Sequence, residues 1–140
     1  MSWDYEPLVG VPHHSEIRVR RRWTVPDVLP GSTLAARGEP VMATGYLIVV
    51  LENATWQVVD PYVPDHLALL GHTGHYQHTG PATQGEILDV TVTCTGGYGS
   101  HTWWQTSAHI RKTAEQVGVL SHTLVTSRRD RFHARLLRSL

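Results

Sequence analysis

The stretch Met42-Ala-Thr-Gly-Tyr-Leu-Ile-Val-Val-Leu-Glu-Asn-Ala-Thr-Trp-Gln-Val-Val-Asp60 decides how this chain folds. From Ala43 to Val59 it is apolar on nearly every side, with one carboxylate, Glu52, in its middle. Thr44-Gly45 opens the stretch, and Asp60-Pro61 followed by Pro64 stops it. A strand of that length is unusual, whereas a helix of the same residues runs about four turns. The β-branched residues Ile48, Val49, Val50, Val58 and Val59 pull mildly toward strand. Length decides for helix. A helix that is apolar all round is a buried helix, so the rest of the chain is expected to wrap it.

Upstream, residues 1–15 hold two prolines and His13-His14 and read as an irregular lead-in. Glu16 to Val25 alternates, with Ile17, Val19 and Arg21 on one face and Arg18, Arg20 and Arg22 on the other, which predicts a strand. Pro26-Asp27 through Pro30-Gly31 is a turn, and Gly38-Glu39-Pro40 breaks the chain before the helix. Downstream, Leu67 to Thr79 is a bent strand holding Gly71 and Gly74, and Pro81-Ala-Thr-Gln-Gly85 is a turn. Ile87 to Thr95 puts Leu88, Val90, Val92 and Cys94 on one side, and Gly96-Gly-Tyr-Gly99 is a hairpin signal. His101 to Ile110 and Val117 to Ser127 are the last strands, and the basic tail 128–140 is a short terminal helix. The expected architecture is α+β: a five-stranded antiparallel sheet around one long central helix, its last four strands in a meander. Such a sheet has open edges, and pairing them between two copies makes a homodimer.

The 140 residues suit a single domain spanning 1–140. Charged residues are 17% and hydrophobic ones 41%, which excludes a disordered chain. A formal charge of zero removes the footprint expected of a nucleic-acid binder. The N-terminal residues lack the blocks of a signal peptide, and the apolar run Tyr46 to Leu51 is too short to cross a bilayer. One cysteine, Cys94, precludes an internal disulfide. The expectation is a soluble cytoplasmic protein, with neither membrane nor nucleic acid as partner.

Two clusters can be set aside. His72, His75 and His78 invite a metal, but strict alternation would turn His75 away from the other two, so no metal site is expected. Cys94 shares a face with Leu88, Val90 and Val92 and reads as core. The arginines at 18–22 and at Arg128, Arg129 and Arg131 read as solvated faces. Their functional alternative is to hold the phosphates of coenzyme A or an acidic carrier protein.

Several motifs together carry a resemblance. Pro40-Val-Met-Ala-Thr-Gly-Tyr46 runs into Leu51-Glu52 and Asp60-Pro-Tyr-Val63. Gly71 to His78, Pro81 to Gly85 and Val117-Gly118 to His122 follow in order. In these the chain resembles hotdog-fold thioesterases, and more narrowly the fluoroacetyl-CoA thioesterase family, over roughly residues 16 to 135. The resemblance implies a hotdog fold, a homodimer with sites at its interface, and an acyl-CoA or acyl carrier protein thioester as substrate. It implies no cofactor beyond the coenzyme A or phosphopantetheine of that substrate. Thr44, Glu52 and His78 match the catalytic set, and Gly71 matches a glycine whose N–H helps to hold the thioester carbonyl oxygen. Gly38 stands where the family has a lid phenylalanine, Leu124 stands two positions after His122 where a basic residue is expected, and Trp103-Trp104 replaces a less bulky pair. A substrate larger than fluoroacetyl follows, with Gly38, Trp103, Trp104 and His122 lining its site.

The chemistry also stands on the residues themselves. A thiolate leaves readily, its acid having a pKa of about 8.5, so the reaction needs chiefly a nucleophile or base and an oxyanion donor. Glu52 can attack the carbonyl or activate water, His78 can protonate the departing thiolate, and Thr44 can add a hydrogen bond at the helix N-terminus. Each has a plain structural counterpart: Glu52 beside Asn53 as a helix edge, Thr44 as an N-cap, His78 as a surface histidine. The ordered combination favours the active site over these plain readings. Two alternatives stay open: a hotdog hydratase or dehydratase, which helix-borne Glu52 with Thr44 fits less well, and a non-catalytic acyl-thioester binder.

Overall fold

The computed structural model describes residues 16–17, 41–83 and 86–139. The central helix, α1 (Thr44–Val59), forms where the sequence predicts it and passes through a 3-10 turn at Asp60–Tyr62. A two-residue strand, β1 (Glu16–Ile17), precedes it, and β2 (Leu67–His78), β3 (Leu88–Tyr98), β4 (His101–Ile110) and β5 (Gln116–Arg128) follow. A terminal helix, α2 (Arg129–Ser139), closes the chain. Four long antiparallel strands and α1 therefore form the body. Of the strand expected from Glu16 to Val25, only Glu16–Ile17 lies among the described residues, paired with Val92 and Thr93.

The sheet order is β1-β3-β4-β5-β2, so the last four strands are not the expected meander. The β3–β4 and β4–β5 links are short. Gly99, at φ +60, begins the two-residue turn between the paired Tyr98 and His101, as in a type II′ turn. The stretch from β2 to β3 is too long for a tight hairpin and holds Pro81, so β2 is free to take the open edge of β5. Periodicity fixes which face a strand buries, not which strand lies beside it.

Leu88, Val90, Val92 and Cys94 on β3, Trp104 and Ala108 on β4, and Leu120 and Leu124 on β5 turn to one side of the sheet. There they meet Leu47, Val50, Leu51, Ala54, Val58 and Val59 of α1. Fully burying each such aliphatic side chain contributes about 1.5–3 kcal/mol. The helix is not wrapped all round: Val49 is 55% and Tyr46 43% exposed, with Asn53 and Gln57 also outward. No helix among the described residues is long and apolar enough to cross a membrane.

Candidate active site

Thr44 is the first residue of α1 rather than its cap, since Ala43 occupies the cap position without a side-chain bond. Its hydroxyl is therefore released from capping, and Thr44 Oγ1 lies 3.0 Å from His78 Nδ1. The far end of β2 supplies that histidine. His78 pairs with Gly118 on β5, which puts both on the helix side of the sheet. A Cβ at Gly118 would collide with Leu47 Cδ2 and come within 2.9 Å of the Gln77 carbonyl oxygen. The missing side chain lets the first turns of α1 settle close enough for Thr44 to reach His78.

Two helical turns on, Glu52 is half-buried and lines an open cleft of about 520 Å³ with Ile48, Gly71, Gly74, Leu120 and His122. A Cβ placed on Gly71 would lie 3.7 Å from Glu52 Oε1, so the carboxylate rests against bare backbone. Within one copy Glu52 makes no hydrogen bond to His78. Eight residues separate Thr44 from Glu52, about 12 Å along the helix. One copy thus presents two separate pairs: Thr44 with His78, and Glu52 with Gly71.

A β-bulge between Gly71 and Thr73 changes the facing of the histidines. His75 pairs with Ser121, on the opposite face from His78, while the His72 ring meets that of His101 edge-on at 5.5 Å. His101 shares the outer face with Val125, so it is His78, not His75, that turns away from the other two. Among the described residues no three His, Cys, Asp or Glu side chains converge as metal ligands.

His122 is buried on the helix side and its Nε2 lies 3.0 Å from Thr55 Oγ1. Thr55 donates to the Leu51 carbonyl at 3.0 Å and lies 2.6 Å from Thr106 Oγ1. Burial pushes the His122 pKa down to about 4, so the ring is neutral near pH 7. The sequence singles out His122, as a residue lining the substrate site, but not the Thr55 and Thr106 hydroxyls grouped with it. Their only signal is polar residues recurring on faces that are otherwise apolar.

The two tryptophans lie elsewhere. Trp104 is buried in the core with its Nε1 donating to Thr102 Oγ1 at 2.8 Å. Trp103, paired with Thr123, is 43% exposed on the opposite face of the sheet. Neither lines the Glu52 cleft, because adjacent residues of a strand face opposite ways and β4 is an inner strand. Gly38 and the arginines at 18–22 lie outside the described residues. Of the tail arginines, Arg128 meets Asp130 at 2.9 Å, and Arg129 donates to the carbonyls of Asp65 and Leu67 at 2.8 and 2.7 Å.

This architecture recurs in solved structures. A fluoroacetyl-CoA thioesterase, FlK, is 23% identical with a TM-score of 0.78, over 94% of this chain and 98% of that one. A thioesterase superfamily member from Thermus thermophilus is 17% identical with a TM-score of 0.76, over 93% of each chain. A hot-dog-like protein from Thermanaerovibrio acidaminovorans is 18% identical with a TM-score of 0.69, over 89% of this chain and 92% of that one. These likenesses establish the fold as hotdog-like. No curated protein matches the chain by sequence. The profile of the fluoroacetyl-CoA-specific thioesterases matches residues 28–127, a stretch that runs from before α1 to the end of β5, and the chain belongs to that FlK family.

Proposed function

We propose that the chain hydrolyses an acyl thioester, carried on coenzyme A or on the phosphopantetheine of an acyl carrier protein, at a site shared by two copies in a homodimer. The observation that carries this reading is the Glu52 carboxylate lying against the bare backbone of Gly71 in an open cleft. A thioester carbonyl placed there has a nucleophile or base on one side and a backbone N–H on the other. Thr44 and His78, bonded to each other, come from the second copy. With the threonine hydroxyl donating to Nδ1, the neutral imidazole turns its Nε2–H toward the departing sulfur and stabilises the thiolate by a hydrogen bond, while the proton released by the attacking water neutralises it. Glu52 attacks the carbonyl carbon directly, expelling the thiolate and forming a mixed anhydride that water then hydrolyses, or it takes a proton from the water that attacks in its place. Both routes end in a free acid and a thiol.

The cleft has more room than a fluoroacetyl group fills, and Gly71 and Gly74 keep its β2 wall open. A larger acyl group is therefore the proposed substrate, bound along Ile48 and Leu120 rather than against the tryptophans. The reading needs no metal and no cofactor.

The test is thiol release from a panel of short, branched and aromatic acyl-CoAs and their carrier-bound counterparts. Wild type is expected to turn over part of the panel, and Glu52→Gln to lose on the order of 10²–10⁴-fold in kcat. Background rates across the whole panel would sink the hydrolase reading and leave a binder. Undiminished turnover by Glu52→Gln would sink the mechanism alone.

A further inference from the structure

Beyond the reaction itself, the Glu52 cleft holds a second polar group whose partner is missing. We propose that His122 is a specificity-determining residue that accepts a hydrogen bond from a donor on the acyl chain, so that preferred substrates carry a mid-chain hydroxyl or amide N–H. This rests on the Glu52 cleft being the thioester site.

Three observations converge. Gly74 pairs directly with His122 across β2 and β5. A Cβ on Gly74 would lie 3.5 Å from His122 Cβ and 3.5 Å from Leu120 Cδ1, so the absent side chain is what leaves the cleft open over the imidazole. The third is the bonding of the ring. With the one Thr55 hydrogen on the Leu51 carbonyl, the Thr55 oxygen accepts from Thr106 and His122. In that arrangement Nε2 carries the imidazole proton, and Nδ1 presents a lone pair. Among the described residues Nδ1 has no hydrogen-bond partner within the chain, yet it is not sealed away: the buried side-chain polar atom left unpartnered is Trp56 Nε1. His122 is one of the residues that line the cleft, below the space that Gly74 leaves.

The chemistry of the ligand follows. The neutral ring offers no charge to an acyl group bearing a carboxylate. The neighbouring Ile48 and Leu120 suit an apolar stem. Gly71 and Gly74 are three residues apart, so the lone pair lies within about 10 Å of the carbonyl position, the reach of a mid-chain substituent.

The test uses a pair of non-hydrolysable S-(2-oxoalkyl)-CoA thioethers of equal chain length, one with a mid-chain hydroxyl and one without, titrated calorimetrically. Wild type is expected to bind the hydroxylated member on the order of tenfold more tightly, the yield of one neutral hydrogen bond. In Gly74→Val, which covers the imidazole, the ratio is expected to fall to about one. His122→Phe, which fills the space without an acceptor, should do the same, with thermal melts establishing that each variant is folded. Equal binding of the pair by wild type, or a preference that survives Gly74→Val, overturns the proposal. Thiol release, read separately, decides the hydrolase reading, so the two can fail independently.

Discussion

Thr44 and Thr55 sit on the same helix, yet their hydroxyls end in different chemistry. Thr44 reaches out to His78 at the edge strand, while Thr55, one helical turn past Leu51, is sealed between β4 and β5 with Thr106 and His122. What the buried group does to stability can be read from its titration. The folded chain holds the His122 pKa near 4, against about 6.5 when unfolded, so the fold disfavours the protonated ring. Between those values the unfolded chain binds a proton that the folded one refuses, and stability falls as pH falls. The loss begins near pH 6.5, reaches about 3 kcal/mol near pH 4, and does not grow below it. Urea midpoints at pH 7 and pH 4.5 should differ more in wild type than in His122→Gln. Equal pH sensitivity in the two would show that the acid response belongs to other groups.

At the scale of elements, the approach of α1 to the sheet is set by Gly118. A methyl group there meets Leu47 and the Gln77 carbonyl oxygen, and β5 is an inner strand that cannot yield without moving its neighbours. Gly118→Ala should destabilise the chain by about 1–3 kcal/mol, read as a lowered denaturant midpoint. It should also disturb the Thr44–His78 bond, which depends on the same approach. A variant as stable as wild type would mean that α1 can lift off freely. Much of this scale was legible beforehand. Local apolar runs and Pro61 bound α1 to within a residue, and alternation placed Leu88, Val90, Val92 and Cys94 on the core face as observed. The placement of β2 beside β5 was not legible, because pairing is a tertiary property. Nor was the bulge after Gly71, which inverts the facing of His72 and arises only once two strands compete over register. The candidate site shows the same division. Thr44, Glu52, Gly71 and His78 are singled out only through the family resemblance, whereas Gly74 draws notice only from what lies across the ladder from it.

The whole molecule poses the question that one copy leaves open, because Thr44 with His78 and Glu52 with Gly71 stand about 12 Å apart along α1. β2 is an edge strand, and Gly71 to Gln77 are all exposed along it, with Tyr76 50% accessible despite facing the helix side. Antiparallel pairing of β2 with β2 of a second copy would run the strands in opposite directions. The His78 end of one would then approach the Gly71 end of the other, and α1 would be reversed in the same way. Two composite sites follow from one two-fold axis. Complementation tests this without a structure of the dimer. Glu52→Gln and His78→Ala should each be nearly inactive alone. In a mixed dimer one site carries both substitutions and the other carries neither. Equal amounts of the two variants, unfolded and refolded together, make half of the dimers mixed and should recover about a quarter of wild-type activity. The recovered rate should fall on dilution, in step with dissociation followed by light scattering. If the mixture stays as inactive as its components while light scattering finds mixed dimers, all four residues act within one copy and the shared site is lost.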